Sequence, residues 1–181
     1  MLCSVRTLRR ASLVGAALIL AVGPSIASAQ AAVDPRLPGA TTRMKLAGPR
    51  FGVTFLSAGI VDKLAARSID AAPVITQFGW QFERQFLGAG EGTAPVTEFV
   101  ILVGGLEQGL FLPSATWLVG LRSVKGTEFG IGPNITPAGI ALAIAVGTTL
   151  RRESVNIPIN VALVPSASGV RLSVLTGWTM R

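Results

Sequence analysis

The sequence predicts an all-β chain: an eight-stranded antiparallel up-and-down β-barrel, a meander, with one short helix after strand 1. Three observations lead there. Eight evenly spaced stretches of about ten residues alternate large apolar side chains with small or polar ones, the two-residue period of a strand whose side chains point to opposite faces. The connectors between them are mostly short and rich in Gly, Pro, Asn and Ser, as hairpin turns require. Eight consecutive hairpin-linked strands can also close on themselves and leave no edge unpaired.

The chain opens with a leader. Arg6, Arg9 and Arg10 precede an apolar run from Ala11 to Val22, and Ala27-Ser28-Ala29 follows as a small-residue cleavage site, so residues 1–29 are expected to be a secretory signal peptide. The run is too short for a spanning helix, which needs roughly 20 residues. Residues 30–48 hold Pro35, Pro38 and Gly39 without a sustained period and are expected to be a flexible N-terminal segment, leaving 49–181 as the barrel domain.

Strand 1 begins at Pro49, with Phe51, Val53 and Phe55 on one face and Arg50, Gly52 and Thr54 on the other. Between Ser57 and Ser68 the period changes to that of an amphipathic helix, as Ile60, Val61, Leu64 and Ala65 recur at helical spacing. Such a helix suits the end of a barrel. The clearest strand is Val74 to Leu87, which sets Val74, Thr76, Phe78, Trp80, Phe82 and Phe86 against Gln77, Gly79, Gln81, Glu83 and Gln85. Further strands are expected at about Pro95 to Leu106, Phe111 to Arg122, Gly126 to Asn134, Gly139 to Leu150, Ser154 to Val164 and Val170 to Arg181. Pro158 falls inside the seventh, where a missing N–H calls for a bulge or an edge position.

Composition removes several kinds of chemistry. The chain has no histidine, and its single cysteine, Cys3, lies in the leader, so thiolate catalysis, disulfides and the commonest metal ligands are not expected in the mature protein. Losing Arg6, Arg9 and Arg10 with the leader leaves 13 basic against nine acidic residues, a net charge of +4 with no basic patch, and no nucleic-acid partner is expected. The glycine runs lack phosphate-binding spacing and the acidic residues lack calcium-loop spacing, so no cofactor and no metal site are expected.

Alternation alone leaves open which face is inside. One face collects Ser114, Thr116, Gly130, Gly132, Ala141, Ala143, Ala145, Gly147, Asn156, Asn160, Ser173 and Gly177, small enough for a narrow interior and poor in Lys and Glu for a watery surface. The other carries Phe99, Ile101, Trp117, Leu121, Ile140, Leu142, Ile144, Val146, Leu172, Val174 and Trp178. With only 14% charged residues, lipid is a reasonable environment for that band.

Over residues 49–181 the pattern resembles the small eight-stranded outer-membrane β-barrel proteins of Gram-negative bacteria. The resemblance implies periplasmic termini, outer-membrane lipid as the surrounding partner, and a non-enzymatic structural or interaction role. The chain differs in having no tyrosine for an interfacial girdle. The alternatives are a soluble periplasmic barrel that turns the Phe and Trp face inward around an apolar ligand, and a β-sandwich. If the polar face is interior, Arg50, Gln77, Gln81, Glu83, Glu98, Glu128 and Arg171 form a lumenal polar network, with both arginines expected to reach the glutamates because shielded charges must be paired. An acid–base pair of glutamates is the competing reading of the same residues. No catalytic residue is assigned.

Overall fold

The computed structural model describes residues 45–86 and 92–180. The expected leader, Cys3, most of the N-terminal segment, Leu87 at the expected end of the second strand with the Gly88–Glu91 part of the connector after it, and Arg181 lie outside the described residues. The strands are β1 (Gly48–Leu56), β2 (Val74–Gln85), β3 (Thr93–Gly104), β4 (Leu112–Ser123), β5 (Glu128–Thr136), β6 (Gly139–Arg152), β7 (Val155–Ser166), β8 (Gly169–Gly177) and β9 (Thr179–Met180). β1 to β8 each pair antiparallel with their sequence neighbours and β1 pairs with β8, so the sheet is a closed up-and-down barrel of eight strands, with β9 continuing the line of β8 against β7.

Every ladder keeps one register along its described length, and no bulge breaks it. Pro158 therefore needs neither a bulge nor an edge. It pairs across to Thr149 in β6, and the interruption falls on the other side, where the β7–β8 ladder stops at Ile159–Thr176 and resumes in the same register at Asn156–Thr179. The missing N–H of proline accounts for that gap and for the break between β8 and β9. Thr176 Oγ1 donates to the Pro158 carbonyl at 3.0 Å and holds the strands together there.

The register also fixes the barrel's shape. From Gly48 the pairing leads through Gln81, Val100, Thr116 and Asn134 to Ala141 in β6. In the other direction Phe55 leads through Leu172 and Leu163 to Ile144. The seven positions from Gly48 to Phe55 and the three from Ala141 to Ile144 add to a stagger of about 10 residues, which for eight strands gives a tilt of about 43° and a radius of about 8 Å. At that tilt a strand of 12 residues, the length of β2, β3, β4 and β7, climbs about 29 Å along the axis.

The polar face is inside. Trp80 and Trp117 are 47% and 55% exposed and point away from the lumen, as do Phe51, Phe78, Phe82, Phe99, Phe129 and Trp178. Outward among the described strand residues only Arg84 and Arg152 are charged, and both sit toward one end. Turning the aromatic face inward around a ligand is thus not the arrangement this chain adopts. The Trp117 indole N–H, aimed outward, donates to Thr97 Oγ1 at 2.8 Å, and Phe51 and Trp178 meet as a tilted pair 5.8 Å apart, so the outer surface is internally satisfied.

The helix α1 (Ala58–Ala65) is shorter than the predicted Ser57–Ser68. Ser68 takes a left-handed φ of 61° and the Ile69 N–H turns back to the Leu64 carbonyl at 3.0 Å, which ends the helix within a turn. Ile60 and Leu64, one turn apart, bury against Leu56, Ala71, Ile75, Leu112 and Ala138, so α1 caps the end of the barrel where β1 finishes. Ser57 does not cap its own helix. Its hydroxyl accepts the Val170 N–H at 2.9 Å and ties the cap to β8. At the other end the expectation of a flexible segment up to residue 48 fails for its last residues: Leu46 is fully buried and its carbonyl receives Arg50 Nη2 at 2.6 Å.

Candidate functional site

All seven residues expected in the lumen, Arg50, Gln77, Gln81, Glu83, Glu98, Glu128 and Arg171, are on the inward face, but they form two separate groups. The first lies at the end opposite α1 and is organised by a residue the sequence reading did not select, Arg122 near the end of β4. Its Nη1 and Nη2 both reach Glu83 at 2.5 Å, its Nε and Nη2 reach Glu128 Oε2 at 2.8 and 2.6 Å, and Nη2 also reaches Glu98 Oε1 at 3.1 Å. All four side chains are at most 7% exposed.

The ladder explains why a cation is needed there. Glu83 and Glu98 stand directly opposite each other across β2 and β3, a pairing that repels, while Glu128 is the direct partner of Arg122 across β4 and β5. One planar guanidinium with five donors can bridge all three carboxylates. Asn160 Nδ2 donates to the remaining Glu128 oxygen at 2.7 Å, and Gly147 makes room for it, since a Cβ there would lie 2.7 Å from Glu128 Oε1.

Arg50 joins this group indirectly. Rather than pairing with a glutamate, it donates Nε to Gln81 Oε1 at 2.9 Å and its other nitrogens to the Leu46 and Pro49 carbonyls. In the competing reading two of these glutamates would be an acid–base pair; here Arg122 holds all three.

The second group lies beneath α1. Arg171 pairs in register with Leu56, the last residue of β1, and does not reach the glutamates. Its Nη1 donates to Thr136 Oγ1, its Nε has no partner, and no carboxylate among the described residues lies within ion-pair distance. Nearby, Thr54 Oγ1 bonds Gln77 Oε1 at 2.5 Å and shares a 2.6 Å hydrogen bond with Ser173, and Asn134 Nδ2 donates to Ser114 and Thr116.

Between the two groups the lining turns apolar, with Val100, Leu102 and Leu175 on one side and Leu118, Ala143, Ala145 and Val164 on the other. They surround a cavity of ≈ 80 Å³ that reaches from the underside of α1 down to Gln81 and Glu98. Gln81, Asn134, Asn160 and Arg171 are among the residues that line it, and each has a buried polar atom, Nε2, Oδ1, Oδ1 and Nε, without a protein partner.

Parity could have found Arg122, which shares a face with Ser114 and Thr116, both read as interior. Among the described residues no cluster of His, Cys, Asp and Glu is arranged to hold a metal ion, and no helix is long and apolar enough to cross a membrane. Comparison with protein-family models, curated proteins and solved structures finds no match.

Proposed function

We propose that this chain is an integral outer-membrane β-barrel with a non-conducting lumen plugged at both ends, serving the envelope as a structural or interaction protein rather than an enzyme. The observation that carries the reading is the inversion of polarity across the wall. Outward, the described strands carry Phe, Trp, Ile, Leu and Val with charge only at Arg84 and Arg152, while Arg50, Glu98, Arg122, Glu128 and Arg171 are buried inside. A barrel in water would leave that apolar surface exposed as one continuous patch, far beyond the few hundred Å² a soluble monomer tolerates. In lipid the same surface meets the medium it matches, and a strand climb of about 29 Å is enough for the roughly 25 Å apolar band of such barrels.

A closed lumen is supported at both ends. The Arg122 cluster fills one, and α1, packed through Ile60 and Leu64, covers the other. A catalytic reading would need a free carboxylate pair or an activated nucleophile, and the lumenal glutamates are engaged by Arg122.

Fractionation of cells expressing the full chain tests the proposal. The mature protein is expected to resist extraction by salt and alkali, to need detergent for release, and to give no steady conductance in a planar bilayer. Recovery in the periplasmic extract without detergent would overturn the membrane reading.

A further inference from the structure

We propose that the lumen is a binding site for a short-chain monocarboxylate, with the carboxylate held by Arg171 and the aliphatic chain lying in the apolar middle of the barrel. The inference concerns the interior alone and stands whether or not the wall meets lipid.

Of the three buried arginines among the described residues, two are accounted for. Arg122 is held by three glutamates, and Arg50 by Gln81 and two carbonyls. Arg171 is 6% exposed and has one hydroxyl partner, Thr136, with its Nε unpaired. A guanidinium shielded from water with no counter-charge is costly, and a matching anion recovers that cost. A carboxylate suits its planar fork.

The cavity specifies the rest of the ligand. At about 10–15 Å³ per water-sized position, ≈ 80 Å³ accommodates about five to eight non-hydrogen atoms. Next to Arg171 and Ser173 the walls of its middle are Leu102, Leu118, Val164 and Leu175, before the cavity reaches Gln81 and Glu98, so a short chain that stops in this middle stretch meets hydrocarbon. Inorganic phosphate would turn polar oxygens toward those leucines, and a neutral alcohol of the same length would leave the guanidinium charge unanswered. A linear acid such as hexanoate satisfies both ends.

The test is calorimetric titration of the refolded, detergent-solubilised protein with hexanoate, hexanol and inorganic phosphate, together with the NMR signal of the Arg171 Nε–H. Hexanoate is expected to bind at one equivalent, about tenfold or more tighter than hexanol, and to shift that signal, with phosphate failing to displace it. Arg171→Met should weaken binding by about tenfold or more. Ala143→Leu, which keeps the cation and fills the apolar half, should abolish binding in a barrel that still folds. Displacement of hexanoate by phosphate would make this an inorganic-anion site and overturn the proposal. Equal binding of hexanol, or no heat and no shift, would overturn it as well, the last leaving water as the occupant.

Discussion

Arg122→Met is the most direct perturbation of the lumen. The substitution keeps an unbranched side chain of similar length but removes five hydrogen bonds of 2.5 to 3.1 Å to Glu83, Glu98 and Glu128. With Arg122 present, three carboxylates face two guanidiniums, counting Arg50. Without it they face one, and Glu83 and Glu98 remain directly opposed across the ladder. Breaking one buried pair costs about 3 to 5 kcal/mol, and loss of a shared partner belongs at the upper end of that range. Urea unfolding of the solubilised barrel, followed by tryptophan fluorescence, should show a midpoint lower by about 2.5 M for a slope of about 2 kcal/mol per M. Adding Glu83→Gln, Glu98→Gln and Glu128→Gln to Arg122→Met should recover most of the loss, because the penalty is the orphaned charge rather than the missing contacts. An unchanged midpoint in the single variant would refute the reasoning and mean that water reaches these glutamates.

Three further outcomes follow from other parts of the wall and lumen. Ile144→Arg, on the outward face of β6, should cost about 2 to 4 kcal/mol in lipid vesicles if that side chain meets the bilayer midplane, and unchanged stability there would count against an outward lipid face. Gly147→Val would push a side chain against Glu128 and Asn160, and chemical denaturation should report a loss of about 1 to 3 kcal/mol. In the connector between β3 and β4, hydrogen bonds from the Thr76 hydroxyl and N–H hold the Glu107 carboxyl below its ordinary range. A lowered acid stabilises the fold above its unfolded value and loses that contribution as pH falls through the folded one. Protection of the Thr76 amide, its exchange measured against the intrinsic rate at the same pH, should therefore fall in acid, and in Glu107→Gln at neutral pH, with unchanged protection in both cases showing that the clasp is idle.

Strand number and which residues share a face are legible because they depend on a period of two, closure follows from the short hairpin connectors, and the inward face is picked out by its small, charge-poor composition. Gln77, Gln81, Glu83, Glu98 and Glu128 share the lumen for these reasons. Height along the axis was not legible, because it depends on pairing register, which side-chain alternation leaves undetermined. Arg171 was expected beside the glutamates on grounds of parity, yet its partner Leu56 ends β1 and places it at the far end from them. Arg122 escaped selection for a related reason. It is the last residue of the strand expected from Phe111 to Arg122, and only the pairing register, which sets it directly opposite Glu128, shows what it meets. Pro158 was read correctly as a lost hydrogen bond, but its cost is confined to one short gap in the β7–β8 ladder.

The order of the ladders carries a consequence for folding. Apart from the short β7–β9 contact, in which β9 continues β8, every pairing but one joins strands adjacent in sequence, so the sheet can grow hairpin by hairpin with little entropy lost at each closure. The exception is the seam from Arg50–Gly177 to Leu56–Arg171, which joins the first strand to the last long one. Until β8 docks, β1 and β7 are open edges with apolar side chains along them, the condition in which strands pair with other chains. Commitment to the native barrel is therefore a C-terminal event, and the chain is most vulnerable to aggregation in the interval before its last residues arrive.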